Sequence, residues 1–463
     1  MDDRVTEIAQ TIANAGGRAL VVGGYVRDHL IGIESKDIDI EVFGMDLDRL
    51  ESTLEAFGEV FAAGRSFGVL RLKSLDVDFS LPRRDNKVGL GHRGFSVDID
   101  PTLDFETAAR RRDFTVNSIA LDPLTGDIID PHNGAHDLVD RRLRITDPDH
   151  FAEDPLRGLR AAQFIARFEL TPDNDTVELC ANLDLNELAT ERVGQEIYKL
   201  LLLGRRPSLG FEFLNQTGLI RFFPEMDALR GVPQDPQWHP EGDVWVHTMM
   251  VIDEAARLRR GDEDDLALML GALCHDLGKP GTTEVIDHRV RSPGHDEAGV
   301  EPTGQFLSRL HTAHQTIGQV EALVRHHLAP ALFVKQGTGP KGYRRLARKL
   351  EKSGVSIDLL VRVATADHFG RTTEEALERR FPAREIFIRE NESYLFEGRA
   401  AKRVVTGQHL LARGVESGPA MGKLLALCEL VQDETGWNDA EKIIEQALLR
   451  HGADDLGESE VRS

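Results

Sequence analysis

VVGGYVRDHL, residues 21–30, and KDIDIEV, residues 36–42, decide how the first part of this chain is built. The first reads as a strand, a Gly-Gly bend and the start of a helix. Two glycines let the backbone come close to a ligand, and the free N–H groups of a helix start favour an anion. Arg27, one turn in, adds a cation for phosphate. In the second stretch the period of a strand puts Asp37 and Asp39 on one face. Like charges side by side are destabilising unless a cation sits between them. Mg²⁺ is the natural cation for oxygen ligands beside a triphosphate. In a two-metal arrangement one ion activates a hydroxyl and the other stabilises leaving pyrophosphate. A third carboxylate normally completes such a set. DVDFSL (76–81) offers Asp76 and Asp78, and Asp78 is preferred for its distance to Arg83. The plainer alternative is a solvated edge strand that happens to carry two acids.

Working outward, RALVV (18–22), DIDIEV (37–42), EVFAA (59–63), GVLRLK (68–73) and DVDFSL (76–81) read as strands, and DLDRLESTLEAF (46–57) as an amphipathic helix. From about residue 150 the strand signals fade and helical spacing takes over. The class is α+β, a mixed sheet with helices followed by a helical remainder. At 463 residues, two to four domains are expected. No apolar run approaches a membrane span, and the start MDDRVTEIAQTIANAGG is polar, so a cytoplasmic protein is expected. Three scattered cysteines exclude a disulfide framework and have no zinc-finger spacing. A net charge of −22 speaks against a nucleic-acid partner in bulk. Basic clusters at ARRRDF (109–114), RRLR (141–144) and KGYRRLARKLEK (341–352) allow one locally.

GGYVRDHL followed by KDIDIEVFG resembles the opening signature of the polymerase-β-type superfamily, in its class II tRNA nucleotidyltransferase and bacterial poly(A) polymerase branch. The likeness continues in order through ARRRDFTVNSIALDP (109–123), IIDPHNGAHDLVDRRLR (128–144), FAEDPLRGLRAAQF (151–164) and ERVGQEIYKLL (191–201). It implies a polymerase-β-like head and template-independent addition of CMP and AMP, from CTP and ATP, to the 3′ end of tRNA. It implies Asp37, Asp39 and Asp78 as catalytic carboxylates with Mg²⁺, and triphosphate contacts for Gly24, Arg27, Arg112 and Arg160. Asp154 and Arg157 lie three apart, as on one helix face. A carboxylate accepts from an exocyclic amino group and a guanidinium donates to a ring acceptor. That pair suits cytosine and adenine and refuses uracil and guanine, a role the resemblance also implies. Gln163 stands where the family often carries a further Arg.

Farther on, His247 in VWVHTMM, His275 and Asp276 in ALCHDLGKP, and Asp367 in RVATADHFGR form an H…HD…D series. This resembles the HD phosphohydrolase superfamily, whose imidazoles and carboxylates hold a divalent transition metal that activates water. His295 and His326 are candidates for phosphate or a second metal, and Lys279 for phosphate; His327 and His368 read as packing or solvent residues, and Trp238 and Trp245 as core or hinge. TGQHLLARGVESGPAMGKLLALCELV (406–431) resembles a family tail hairpin, with His409 and Ser417 off pattern and Gly418-Pro419 read as an ordinary helix start.

The expected divisions are a head (1–145), a helical neck (146–230), an HD domain (231–370) and a helical tail (371–463) whose end, from 452, is disordered. Competing readings are a poly(A) polymerase, an A-only or CC-only adder, an HD phosphohydrolase with a vestigial head, and an RNA-binding scaffold. Ser66 in AGRSFGVL (63–70), where poly(A) polymerases carry a basic residue, favours CCA addition.

Overall fold

The computed structural model describes residues 3–35, 37–64, 68–73, 75, 77–87, 95–398 and 404–459. Asp76 and Ser66 lie outside the described residues. The chain divides into two compact units, Met1–Arg230 with Gln305–Thr312, and Gly231–Gly304 with Ala313–Ser463.

The first unit is built on a seven-stranded sheet. Its strands are β1 (Arg18–Val22), β2 (Ile38–Phe43), β3 (Val60–Gly64), β4 (Val69–Leu72) and β5 (Val77–Ser80). After the hairpin strands β6 (Arg83–Lys87) and β7 (Phe95–Ile99) come β8 (Ala120–Leu121) and β9 (Ile128–Ile129). The order is β3-β4-β5-β2-β1-β8-β9, and β6 pairs only with β7. β2 and β5 run parallel, whereas β1 is antiparallel to both β2 and β8. Val and Leu in β1 and Ile40, Val42 and Phe43 in β2 are buried, which is why these runs form central strands. Helix Asp3–Asn14 buries Val5, Ile8, Ala9 and Ile12 at helical spacing. The expected helix over 46–57 is Leu47–Leu54 with a 3₁₀ turn after it, capped by Asp46, whose side chain accepts from the Arg49 amide at 2.8 Å. Beyond the sheet, helix Leu156–Phe168 packs on Thr190–Leu203 and Pro207–Gln216. Gly210 allows the close approach, since a Cβ there would meet the Ala162 carbonyl at 2.6 Å.

In the second unit, helices Val244–Arg257, Asp265–Cys274, His314–His326 and Ile357–Phe369 pack together. The region is not purely helical as the sequence suggests. Glu284–Ile286 and Arg289–Arg291 form a hairpin whose turn residues, Asp287 and His288, have φ of 52° and 62°. A turn with both central residues left-handed usually announces itself with Gly, and here it does not. A tail core gathers Val405, Leu410, Leu424, Cys428, Val431, Ile443 and Ile444 between helices Pro419–Thr435 and Ala440–Ser459. The last of these helices continues through most of the segment read as disordered, because adding a residue to a formed helix is cheap compared with starting one. Among the described residues no helix is long and apolar enough to cross a membrane.

Candidate functional site

The bend after β1 and the acids of β2 meet because of strand register. Val22 is opposite Asp39. Gly23 has φ of 76°, a left-handed value that favours glycine. A Cβ on Gly23 would lie 3.0 Å from the Arg112 guanidinium and 3.7 Å from Asp39 Oδ2. On the other side of β2, Asp39 is in register with Asp78 of β5. Burial raises the Asp39 pKa, and the charges of Asp78 and Asp37 add to that, with Arg112 opposing. A crowded set of carboxylates of this kind fits a divalent cation. Asp78 is held by Arg71 at 3.2 Å.

Sequence reasoning overlooked the next acid on the same face, Glu41, although the period-two spacing of DIDIEV already pointed to it. Its side chain is fully buried and bonds Arg111 at 2.9 Å, with Arg112 at 3.6 Å. Burial opposes ionisation, but the two guanidinium groups hold the Glu41 carboxyl below its usual range. Glu41 thereby fixes two cations beside Asp39.

A cavity of about 760 Å³ opens here. Gly24, Arg27, Asp37, Asp39, Arg112, Asp154, Arg157 and Arg160, all singled out from the sequence, line it, whereas Asp78 is not among its lining residues. Nine Arg or Lys side chains line it against five Asp, which makes it locally basic in an acidic chain. Arg27 is largely committed within the protein. It bonds Asp28 at 2.7 Å and 2.8 Å and Asn117 at 2.6 Å, and lies over the Phe168 ring. Arg160 bonds Asp113 at 2.7 Å and lies 3.8 Å from Glu196.

The pair Asp154 and Arg157 needs correcting in its local structure. Helix Leu156–Phe168 begins after Asp154, which has φ −117° and ψ 96°. The residue before a proline is disfavoured in the helical region, and Pro155 follows Asp154. The two side chains therefore do not share a helix face, although both line the cavity. Asp154 Oδ2 accepts instead from Arg192 at 3.0 Å, a residue of the ERVGQE helix that the sequence left without a role. Arg157 donates to the carbonyls of Arg111 at 2.7 Å and His150 at 3.1 Å, so its charge is fixed in place by neutral acceptors. Gln163 lines the same wall, is 3% exposed, and its Nε2 has no hydrogen-bond partner among the described residues.

The second unit gathers the histidine series. His247 Nε2 lies 3.2 Å from Asp367, and His275 Nε2 lies 3.2 Å from Asp276 Oδ2. Asp276 Oδ1 faces His295 Nε2 at 3.5 Å. Among the described residues three groups could hold a metal ion: His239-Glu241-His247, and, drawing on the predicted series, His247-His275-Asp367 and Asp276-His295-His327. The group with Asp276 corrects the sequence reading, because the inward histidine is His327, not His326. The helix His314–His326 ends one residue short of it, and His327 is 1% exposed.

Chemistry fixes how these rings point. Nδ1 of His275 bonds the Ala272 carbonyl at 2.8 Å, that of His295 the Ser292 carbonyl at 2.8 Å, and that of His327 the Val324 carbonyl at 2.6 Å. A carbonyl only accepts, so each Nδ1 carries the proton and each Nε2 keeps its lone pair for the centre. His247 Nδ1 lies 2.8 Å from Glu241, which also bonds His239 at 2.9 Å and the Thr372 amide at 3.0 Å. Burial opposes ionisation of Glu241, but the His239 and His247 hydrogen bonds hold its carboxyl well below the usual range. Glu241 was not foreseen; it sits in a loop, against the His247 ring. His275 Nε2 and Asp276 Oδ2 are buried without a hydrogen-bond partner of proper geometry, which fits a metal ion. Lys279 is 2.7 Å from Asp276 and Arg371 bonds both oxygens of Asp367 at 2.9 Å. His368 stacks on Phe381 at 4.0 Å, a packing role. Trp245 is buried and Trp238 exposed.

The family of the poly A polymerase head domain matches residues 19–144, and the HD domain family matches residues 244–378. Both kinds of domain imply dependence on divalent metal ions. The chain is 37% identical over 380 residues to the multifunctional CCA protein of Pasteurella multocida (strain Pm70), covering 79% of this chain and 86% of that protein. It is 42% identical over 299 residues to the multifunctional CCA protein of Xanthomonas oryzae pv. oryzae (strain MAFF 311018), covering 63% and 70%. In fold it resembles the Bacillus stearothermophilus CCA-adding enzyme solved in complex with CTP, at 20% identity, TM-score 0.63 and 98% coverage of both chains. It also resembles the Thermotoga maritima CCA-adding enzyme complexed with tRNA, at 19% identity and TM-score 0.58, over 97% of this chain and 96% of that one. At the identity and coverage of the Pasteurella protein, the chain belongs to the multifunctional CCA protein family.

Proposed function

We propose that this protein adds CMP and AMP, from CTP and ATP, to the 3′ end of tRNA without a nucleic-acid template. The observation that carries the reading is one basic cavity lined by Asp37, Asp39, Asp154 and Arg157 together. Asp37, Asp39 and Asp78 would hold Mg²⁺, which when bound supplies a Lewis acid for the attacking hydroxyl and the leaving pyrophosphate. Glu41 keeps Arg111 and Arg112 beside Asp39, where they offset the triphosphate charge. Asp154, steadied by Arg192, accepts from the amino group of cytosine or adenine, and Arg157 donates to the neighbouring ring acceptor. Uracil and guanine put a carbonyl against Asp154 and leave it unpaired, a mismatch of buried polar groups that costs about 1–3 kcal/mol. On this reading the division of labour is head (1–145), neck (146–230), HD domain (231–370) and tail (371–463).

A second reading holds for the other unit. Asp276, with one oxygen toward His275 and the other toward His295, would help to hold divalent metal, which when bound supplies activation of water for hydrolysis of phosphate esters. Lys279 and Arg371 are placed to balance phosphate charge there.

The test offers CTP, ATP, UTP and GTP separately to a tRNA lacking its 3′ end. Extension by CMP and then AMP supports the proposal. Extension of any RNA by ATP alone makes it a poly(A) polymerase instead. Asp39→Ala abolishes addition and spares phosphatase activity, and Asp276→Ala does the reverse; survival of addition in Asp39→Ala defeats the metal assignment.

A further inference from the structure

Helix Pro340–Lys352 carries Lys341, Arg344, Arg345, Arg348, Lys349 and Lys352 with Glu351 as its one acid, in a chain of net charge −22. Its two faces are separated. Tyr343, Leu346 and Leu350 are buried, three and four residues apart. Lys341, Arg345, Lys349 and Lys352 are exposed, four, four and three apart, which aligns them on the opposite face. At ~1.5 Å rise per residue the stripe is about 16 Å long, with a cation roughly every 6 Å. The buried face is anchored: Tyr343 donates to Glu390 at 2.8 Å and packs on Phe333 and Phe387.

We infer that this stripe is a docking surface for the phosphate backbone of RNA, separate from the residues that line the nucleotide cavity. The inference rests on the proposed function for which RNA is bound, and on the helix for how. Evenly spaced cations match a chain of phosphates. A bilayer would need the apolar face, and that face is buried in the protein. A protein partner would need an apolar centre, and the large apolar residues of this helix, Tyr343, Leu346 and Leu350, are buried.

The experiment measures binding of labelled tRNA lacking its 3′ end, against KCl concentration, for the full-length wild type and the triple variant Arg345→Gln, Lys349→Gln, Lys352→Gln. The variant should bind about tenfold or more weakly near 0.1 M salt, with a slope of log affinity against log salt shallower by about 2 to 3. CTP affinity should be unchanged, which shows an intact fold. The charge-preserving variant Arg345→Lys, Lys349→Arg, Lys352→Arg should bind like wild type. Wild-type affinity and slope in the neutral variant overturn the inference, and leave an acidic protein surface as the partner of the helix. Equal loss in the charge-preserving variant overturns it as well. If the wild type adds no nucleotides yet shows the stripe-dependent slope, the function proposed above fails and the docking surface stands.

Discussion

Replacing Glu241 by Gln exchanges one carboxylate oxygen for an amino group at the point that orients the HD-site histidines. In the native side chain one oxygen serves His239 at 2.9 Å and His247 at 2.8 Å, and the other serves the Thr372 amide at 3.0 Å. His239 and the Thr372 amide donate to it, so whichever way the carboxamide turns its NH₂ meets a donor. If it faces the histidines, His239 must change tautomer; if it faces Thr372, two donors oppose each other. Either arrangement unsettles the group that lies against the His247 ring, a penalty of about 2 kcal/mol. That equals roughly a 30-fold weaker metal affinity, within the 10–100-fold range typical of such supporting contacts. The assay is competition of the metal-free protein with a chromophoric chelator for Ni²⁺, Co²⁺ or Mn²⁺, paired with hydrolysis of a chromogenic phosphate ester. Nucleotide addition serves as the internal control. A metal affinity within twofold of wild type would refute the reasoning, because His247 would then be oriented by something other than Glu241.

Arg192→Ala removes the lateral hold on Asp154, so discrimination of CTP over UTP should narrow by about tenfold in single-nucleotide incorporation; an unchanged ratio removes Arg192 from base selection. Gly278→Ala drives a Cβ to 2.0 Å from the His295 carbonyl and 2.6 Å from the Gly299 amide. It should cost about 3 kcal/mol and lower the metal bound per chain while CTP binding persists, as read by thermal unfolding and metal analysis. Burial opposes ionisation of Asp113, but Arg160, Asn117 and the Phe114 amide hold its carboxyl below the usual carboxylate range. A carboxylate depressed on folding contributes stability above its unfolded pKa and loses it as pH falls through the folded one. The wild type should therefore lose melting temperature steeply below about pH 4, and Asp113→Asn should be less stable near neutrality with a flatter acid limb.

The strands and their acids were legible because period-two spacing survives folding unchanged. The Asp37 and Asp39 face follows from it, and Glu41 was readable on the same grounds. The cavity members came from motifs whose order along the chain carries the information. The two errors at the sites have one origin, which is that spacing gives a face only once the element's start and register are known. Pro155 displaced Asp154 from the helix that spacing assigned to it, and one residue at a helix end exchanged His326 for His327.

From its sequence alone this protein is an α+β head with two-apart carboxylates, joined to a helical remainder with an H…HD…D series. Those features are local, set by side-chain periodicity and chain order. Which groups serve each other was decided by tertiary structure: Arg192 for Asp154 across 38 residues, and Asp367 for His247 across 120. Glu241, behind the His247 ring, belongs to the same class. A hydrogen bond depends on direction and on the exclusion of water, and neither exists until distant segments have packed together.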